Sequence, residues 1–207
     1  MKIGCVLVMY NPQQELLTAS LDSLNKQVDE IFLGDNSVNM PDFMATLLTL
    51  YPNVYYRGFK ENLGIAEAQN RGIAYFQEKE FDFVLFMDQD SLAPKNLVIS
   101  LLADYARLQQ TGIAIGGIGP RPFNRSEGKP YVGAVKKGKL ILPGITEVGE
   151  IISSASLIPM VHFKQIGGME SSLFIDGVDH EWCWRAKKMG GWRFFISEKV
   201  QLSHQVG

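Results

Sequence analysis

The 207-residue sequence has two cysteines and no strong excess of charge of either sign. Cys5 and Cys183 lie far apart in apolar segments, which predicts reduced, buried thiols rather than the disulfide framework of a small secreted domain. The formal net charge is −2, whereas domains that bind nucleic acids usually carry a clear basic excess. The composition therefore argues against a disulfide-rich secreted protein and against a nucleic-acid partner.

Long apolar runs are also missing from the sequence. No stretch approaches the roughly 20 apolar residues that a membrane-spanning helix needs. Residues 1–10 faintly resemble a signal peptide, but Asn11 and Pro12 end the apolar run early and no small-residue cleavage site follows. We therefore expect a cytoplasmic protein without a transmembrane segment, in which any association with the inner face of the cell membrane is peripheral.

The glycine fingerprints of two common nucleotide-binding folds are absent. The sequence contains neither Gly-x-Gly-x-x-Gly after its first apolar run nor Gly-x-x-x-x-Gly-Lys-Ser/Thr, which argues against dinucleotide and P-loop nucleotide sites. No linker rich in proline, glycine or serine divides the chain. Its length and its 46% hydrophobic content therefore predict one globular domain with a sizeable core.

Strand and helix patterns alternate through the first half of the chain. Four apolar runs rich in β-branched and aromatic residues are predicted as strands: 3–9, 30–33, 54–56 and 81–87. Amphipathic segments follow them, and the clearest of these predict helices over 41–50, 62–78 and 94–110. This alternation is typical of an α/β fold with a mostly parallel sheet flanked by helices.

The second half of the chain has a different, mixed pattern. Strands are predicted at 113–118, 151–158, 173–175 and 192–196, with a hairpin over 131–142 and a helix over 179–189.

The clearest chemical motif is Asp88-Gln89-Asp90-Ser91, which follows the fourth predicted strand. If the extended conformation continues, Asp88 and Asp90 point the same way, because side chains alternate along a strand. Two carboxylates beyond the carboxyl end of a parallel strand suit Mg²⁺ or Mn²⁺ bound together with substrate phosphates. The alternative is an ordinary acidic turn, since Asp-x-Asp is common by chance.

Six motifs in sequence order resemble those of family 2 glycosyltransferases of the GT-A fold, in particular the rhamnosyltransferase-like group. They are Val8-Met9-Tyr10-Asn11, Asp35-Asn36-Ser37, residues 62–66 with Asn70 and Gly72, residues 87–91, residues 179–185, and His204. The resemblance covers nearly the whole chain. It implies an inverting, metal-dependent enzyme that moves a sugar from a dTDP or UDP donor, with L-rhamnose from dTDP-rhamnose expected. The acceptor is expected to be a cell-surface polysaccharide or a lipid-linked saccharide.

The resemblance assigns donor-binding roles to residues near the first three strands. Tyr10, Asn11 and Asp35 are expected to contact the nucleotide base, although an Asx-turn is the alternative for Asp35. Asn62 and Gly64 open a helix, where backbone N–H groups favour an anion or an acceptor edge. Asn62 also suits an N-cap, and both roles are compatible.

The resemblance also implies a Mn²⁺ or Mg²⁺ site. Asp90 is expected to bind the metal directly, Asp88 to contact the ribose or bind the metal through water, and His204 to be a third metal or diphosphate contact. For His204, the alternative is a polar loop residue. In this interpretation the single GT-A domain has a nucleotide-sugar half, 1–118, and an acceptor and catalytic half, 119–207.

The motif at residues 179–185 is expected to serve the acceptor and the chemistry. Asp179 is the expected general base, because inversion needs one carboxylate to take the proton of the acceptor hydroxyl; a helix N-cap is the alternative. Glu181 is the competing base, Trp182 either stacks on an acceptor sugar or fills the core, and Arg185 either binds the diphosphate or forms a surface ion pair. Many relatives have Glu-Asp where this chain has Val178-Asp179, which weakens the assignment.

Two other functions were compared with this one. A haloacid-dehalogenase-like phosphatase also uses Asp-x-Asp after a strand, but there the motif normally follows the first strand rather than the fourth. A non-catalytic module that binds sugar nucleotides is the other alternative, because relatives usually carry a further C-terminal segment that this chain is expected to lack.

Overall fold

The computed structural model describes residues 1–124, 129–130 and 138–204. The strands in this part of the chain are β1 Ile3–Met9, β2 Glu30–Asp35, β3 Val54–Gly58, β4 Phe83–Asp88, β5 Ile115–Asn124, β6 Lys129–Pro130, β7 Lys139–Leu142, β8 Ile145–Val148, β9 Leu157–Pro159 and β10 Arg193–His204. The helices are α1 Gln14–Leu24, α2 Met44–Leu50, α3 Gly64–Glu78, α4 Leu97–Gln109, α5 Met160–Ile166 and α6 Val178–Gly190, with a short 3-10 helix at Ser171–Leu173.

All of these strands belong to one sheet, in the order β3-β2-β1-β4-β9-β5-β10-β8-β7, with β6 paired to β5. The four strands of the first half are parallel to one another. Strand β9 is antiparallel to both β4 and β5, so β4 and β5 run in the same direction, and β10 runs parallel to β5. The parallel first half and the mixed second half agree with the predicted α/β fold.

Each face of the sheet is covered by three helices. Alternate side chains of β1 point to opposite faces, as the pleat of a strand requires: Cys5 and Leu7 pack with α1, α2 and α4, whereas Val6 packs with α3, α5 and α6. Helix α3 lies close to the sheet at Gly72, where a Cβ would come within 2.5 Å of Val6 Cγ2. A larger residue at Gly72 would therefore push this helix away from the strands.

The predicted elements of the first half are confirmed with small shifts of their ends, but two predictions in the second half are wrong. The strand predicted over 151–158 is limited to Leu157–Pro159. In place of the strand predicted at 173–175, Leu173 ends the 3-10 helix and a turn follows, in which Phe174 has a positive φ of 60°. Strands β7 and β8 form a hairpin that turns around Gly144. Residues 131–137 of the hairpin predicted over 131–142 lie outside the described part of the chain. Helix α5 was not predicted.

No helix in the described residues is both long enough and apolar enough to cross a bilayer.

A buried carboxylate joins α4 to the last strand. Asp104 is fully buried and accepts hydrogen bonds from Ser197 Oγ at 2.8 Å, Lys199 Nζ at 2.6 Å and Arg107 Nη1 at 2.8 Å. Burial raises the pKa of Asp104, but these three hydrogen bonds outweigh it and hold the pKa below its usual value. The ionised form therefore contributes to the stability of the fold.

We expect Asp104→Asn to lower the free energy of unfolding by about 2 kcal/mol, because hydrogen bonds to a charged acceptor are lost. Denaturant titration at neutral pH measures this loss, with Asp42→Asn, at an exposed position, as the control. A carboxylate with a lowered pKa stabilises the fold above its unfolded-state pKa, and this contribution disappears as the pH falls through the folded-state pKa. The difference between wild type and Asp104→Asn should therefore shrink below about pH 4; a constant difference would contradict this explanation.

Candidate functional site

The candidate site lies where neighbouring parallel strands end together. Met9 pairs with Asp35 of β2, and Val8 pairs with Asp88 of β4, so the three chain segments that follow these strands leave the sheet at the same edge. This edge is where open parallel sheets bind ligands. Tyr10 begins the first of these segments, and its side chain is half exposed.

The acidic motif turns at once instead of continuing as a strand. Residues 89–90 form a turn in which Ser91 N donates to Asp88 O at 3.3 Å, so the expected extended conformation through Asp90 is wrong. Gln89 points towards β1, and its Oε1 accepts from Tyr10 N at 2.9 Å. Asp88 and Asp90 therefore line two adjoining clefts with Gln89 in the wall of both.

The two clefts have similar sizes and different walls. The cleft at Asp88 holds about 200 Å³ and is lined by Val8, Met9, Tyr10, Asn36, Asn62, Gly64, Ile65, Asp88, Gln89, Phe174 and Ile175. The cleft at Asp90 holds about 180 Å³ and is lined by Asn11, Pro12, Gln13, Leu16, Leu17, Gln89 and Asp90. Tyr10, Asn62 and Gly64 thus share a cleft with Asp88, and Asn11 shares one with Asp90.

The donor atoms at this edge suit a hard cation. Among the side chains that the structure describes, no group of three or more histidine, cysteine, aspartate or glutamate residues is placed to hold a metal ion. Two carboxylates with phosphate and water as the remaining ligands are, however, the usual way in which proteins hold Mg²⁺. His204 ends β10, which runs in the same direction as β4, so its backbone lies towards the same edge of the sheet; its side chain is outside the described part.

Asp35 makes the Asx-turn that was its alternative interpretation. Its side chain is 1% exposed, with Oδ1 accepting from Ser37 N at 2.8 Å and Oδ2 accepting from the Tyr56 hydroxyl at 2.8 Å. Burial and this contact with Asp35 raise the pKa of Tyr56, so the phenol stays protonated and donates. Both carboxylate oxygens of Asp35 therefore have partners within the protein, and a base contact would use the lone pairs that remain.

Asn36, to which the motif gave no role, fixes the neighbouring segment. Its Oδ1 accepts from Leu63 N at 3.1 Å and its Nδ2 donates to Gly64 O at 3.1 Å, in a buried position. Ser37 Oγ accepts from Asn11 N at 2.8 Å. The Asp-Asn-Ser turn therefore joins the segments after β1 and β2 to the start of α3, and its run of short polar side chains at a strand end was the signal for such a role.

The N-terminus of α3 is capped from within the protein. Gly64 N donates to Asn62 Oδ1 at 3.0 Å, while Ile65 N and Ala66 N both approach Phe174 O, at 2.7 and 3.3 Å. These are the N–H groups that the sequence suggested for an anion, and their pairing shows that this prediction was wrong. Asn62 and Gly64 line the cleft without offering free N–H groups to a phosphate.

The loop before α6 is held against α3 at two further points. Asn70 forms two hydrogen bonds with the backbone of Met169, donating to its carbonyl at 2.9 Å and accepting from its N–H at 2.7 Å. Ser171 Oγ donates to Glu67 Oε2 at 2.7 Å. Together with the contact at Phe174, these bonds fix the loop that leads to Asp179.

Asp179 lies in the first turn of α6 and is held by two backbone amides. Its Oδ2 accepts from Ser153 N at 2.9 Å and its Oδ1 from His180 N at 2.8 Å. Next to Ser153, Ser154 Oγ lies 3.2 Å from Ser91 Oγ, and both of these serines are buried. Ser91, Ser154 and the adjacent Ser153 thus join the acidic turn to the expected base. Of these, Ser153 and Ser154 were not predicted.

For two residues of α6 the structure shows the second of the two predicted alternatives. Trp182 is 1% exposed, lies in the core and donates from Nε1 to Gly167 O at 3.0 Å, so it cannot stack on a sugar. The Arg185 guanidinium pairs with Glu181 through Nε and Nη2, and it also donates to the carbonyl oxygens of Ile166 and Gly168. Arg185 and Glu181 therefore form an ion pair that also fixes the preceding loop. The Arg185 guanidinium already has these partners within the protein, so it is not free to bind a diphosphate.

Comparison with known protein families agrees with this architecture. The family model described as "Glycosyl transferase family 2" matches residues 5–163. The chain belongs to this family. Its class is therefore that of the glycosyltransferases, and the phosphatase alternative loses its support.

A curated relative and several solved structures resemble this glycosyltransferase chain. It is 32% identical over 215 residues to dTDP-rhamnosyl transferase RfbF of Shigella flexneri. The alignment covers 99% of this chain and 69% of the relative. The structure titled GalNAc-T7 with UDP, GalNAc and Mn²⁺ superposes with a TM-score of 0.78 at 15% identity, and Staphylococcus aureus TarS does so with 0.71 at 19%. These structures match 99% and 100% of this chain, which spans 44% and 37% of their own lengths. They confirm the predicted GT-A fold.

The contact between Gly64 and Phe174 gives a test of this site. At Gly64, φ is +79° and a Cβ would lie 2.6 Å from both the ring and the carbonyl oxygen of Phe174. Gly112 has a similar φ of +71°, but nothing lies within 4 Å of the position of its Cβ. We expect Gly112→Ala to lower the free energy of unfolding by about 1 kcal/mol, from backbone strain alone. Gly64→Ala should lower it by about 1–3 kcal/mol more than Gly112→Ala does, because of the clash with Phe174. Denaturant titration of both variants measures the difference, and equal costs would show that the glycosyltransferase does not need this close contact.

Proposed function

We propose that this chain transfers L-rhamnose from dTDP-rhamnose to a hydroxyl group of a cell-surface polysaccharide or lipid-linked saccharide, with inversion at the anomeric carbon. The observation that carries the proposal is the connection from the acidic turn to Asp179: Ser91 bonds to Ser154, and the N–H of the adjacent Ser153 donates to Asp179. It links the acidic turn, where the diphosphate is proposed to bind, to Asp179, the proposed base. The name of the relative from Shigella flexneri supports the choice of donor.

In this proposal, residues 1–118 bind the donor and residues 119–207 supply the acceptor side and the base. Tyr10, Asn11 and Asp35 form the wall at the nucleotide base. Mn²⁺ or Mg²⁺ would be held by Asp88 and Asp90, with His204 as a further contact. The neighbour that was solved with UDP and Mn²⁺ supports a divalent cation in general. When bound, such a cation neutralises charge that develops on the leaving diphosphate.

Asp179 would take the proton of the acceptor hydroxyl. As the acceptor oxygen forms its bond to the anomeric carbon, the bond from that carbon to the diphosphate oxygen breaks, and the electron pair leaves with the nucleoside diphosphate. The amides of Ser153 and His180 fix the orientation of the carboxylate, which favours a base aimed in one direction. We place this reaction in the cytoplasm, at the inner face of the membrane where a lipid-linked acceptor is reached.

A thermal-shift panel tests the donor half. With dTDP or UDP and Mn²⁺ or Mg²⁺ present at about a hundred times the dissociation constant, the protein should gain about 2.7 kcal/mol of stability, and EDTA should reduce the gain. GDP and CDP should give smaller shifts. Asp90→Ala should remove the dependence on metal, whereas Asp42→Ala, at an exposed position away from both clefts, should not. If no nucleotide shifts the melting temperature, the donor assignment fails.

Replacing the proposed base separates chemistry from binding. Asp179→Asn should lower kcat by on the order of 10²–10⁴-fold, the usual share of a general base, with donor affinity nearly unchanged. Glu181→Gln is the comparison, because it tests the competing base on the same helix. We expect its effect to appear mainly as lower stability, since Glu181 pairs with Arg185. A greater loss of kcat in Glu181→Gln, or a parallel loss of donor affinity in Asp179→Asn, would contradict the assignment.

A further inference from the structure

Helix α6 turns one tryptophan inward and another outward. Val178, Trp182 and Ala186 form part of its buried face, at intervals of four residues. Trp184 lies two residues beyond Trp182, about 200° around the helix, because each residue turns an α-helix by about 100°. Its side chain is 59% exposed. A large aromatic surface therefore faces solvent, five residues from the proposed base.

The exposed indole is held in place by its neighbours. Trp184 Nε1 donates to Glu150 Oε2 at 2.7 Å, and the His180 ring lies one turn earlier with its centroid 6.2 Å from that of Trp184. His180 Nδ1 lies 3.3 Å from Glu150 Oε1, although the two atoms are not aligned for a hydrogen bond. We call Glu150, His180 and Trp184 the indole platform. It is pre-organised, so a ligand would not have to order it.

The chemistry of the indole platform fits a saccharide. A sugar ring has an apolar face of C–H groups and an edge of hydroxyl groups. The indole offers an apolar plane, while the partly exposed Glu150 carboxylate and His180 imidazole beside it offer hydrogen-bonding atoms. Lys187 and Lys188 lie in the last turn of the same helix. Because charged groups surround a single aromatic plane, the surface differs from the broad apolar patch that a protein partner or a bilayer would need.

The indole platform is connected to the catalytic edge on two sides. His180 Nε2 lies 3.9 Å from Asp179 Oδ1. Glu150 and Ser154 line the same narrow groove, and Ser154 contacts Ser91 of the acidic turn. A sugar on Trp184 would therefore lie next to His180, the residue whose ring approaches both the indole and the proposed base.

We propose that Glu150, His180 and Trp184 form the subsite that binds a sugar residue of the acceptor. Trp184 stacks on the ring, and Glu150 and His180 bind its hydroxyl groups. This inference rests on the proposed function, since it is the transfer reaction that makes the bound saccharide an acceptor. It also gives to Trp184 the stacking role that the sequence suggested for Trp182.

Binding of simple glycosides tests the subsite directly. The probes are the methyl glycosides of α-L-rhamnose, β-N-acetylglucosamine and α-D-glucose, measured by saturation-transfer NMR and tryptophan fluorescence, with and without dTDP and Mn²⁺. At least one probe should bind the wild type, and Trp184→Ala should weaken that binding about tenfold or more, because an aromatic contact and its buried area are lost. Trp184→Phe should restore most of the affinity. Met189→Ala, at a similarly exposed apolar residue of the same helix, should leave it unchanged.

The outcomes separate the subsite from the proposed function. Melting curves of each variant, and their shifts with dTDP and Mn²⁺, show whether the fold and donor site remain intact, as we expect for an exposed side chain. The subsite is overturned if no probe binds the wild type, if Trp184→Ala binds as well as the wild type, or if Trp184→Ala loses only binding to vesicles of anionic lipid. If the probes bind through Trp184 while no nucleotide shifts the melting temperature, the saccharide site stands and the proposed donor reaction fails.

Discussion

The arrangement of this molecule depends on the parallel pairing of β1 with both β2 and β4. That pairing brings the end of β1 level with Asp35 on one side and with Asp88 on the other. Three polar turns then meet at one edge, and they bond to each other: Gln89 accepts from Tyr10 N, and Ser37 accepts from Asn11 N. A shift of register by one residue would exchange the faces of every side chain in the strand and would separate these turns.

A second constraint joins the two halves of the chain across the end of β4. Phe86 N donates to Ser156 O, and Ala155 N donates to Phe86 O, so the segment before β9 lies along the strand that ends at Asp88. Ala155 adopts a positive φ of 60° there. Since Ser153 and Ser154 in this segment contact Asp179 and Ser91, the backbone bonds at Phe86 set the distance between the acidic turn and the start of α6.

An element could be predicted where its shape depends on residues nearby in the sequence, and could not be predicted where it depends on residues far away in the chain. Local apolar runs determine β1 to β4, and the sequence indicated them well. The segment 151–156 instead takes its shape from Phe86 and Ser91, far away in the chain, so its apolar composition wrongly suggested a strand. The turn at Phe174 likewise depends on a distant helix, α3. For Trp182 and Trp184 a local signal was present but was not used: the spacing of Val178, Trp182 and Ala186 puts Trp182 on the core face of the helix.

The sequence suggested two partners for the diphosphate, the N–H groups at the start of α3 and the Arg185 guanidinium. Both already form hydrogen bonds within the protein. Phe174 O and Asn62 Oδ1 take the N–H groups at the start of α3, and Glu181 takes the Arg185 guanidinium. Releasing either one would break contacts that hold the loop before Asp179. In the proposed reaction, charge on the diphosphate would therefore be balanced chiefly by a cation at the acidic turn, where Asp90 is exposed. The protein contacts near α3 and α6 would then hold the proposed base in place, and a bound cation would supply the electrostatic stabilisation that a helix terminus gives in other nucleotide-binding proteins.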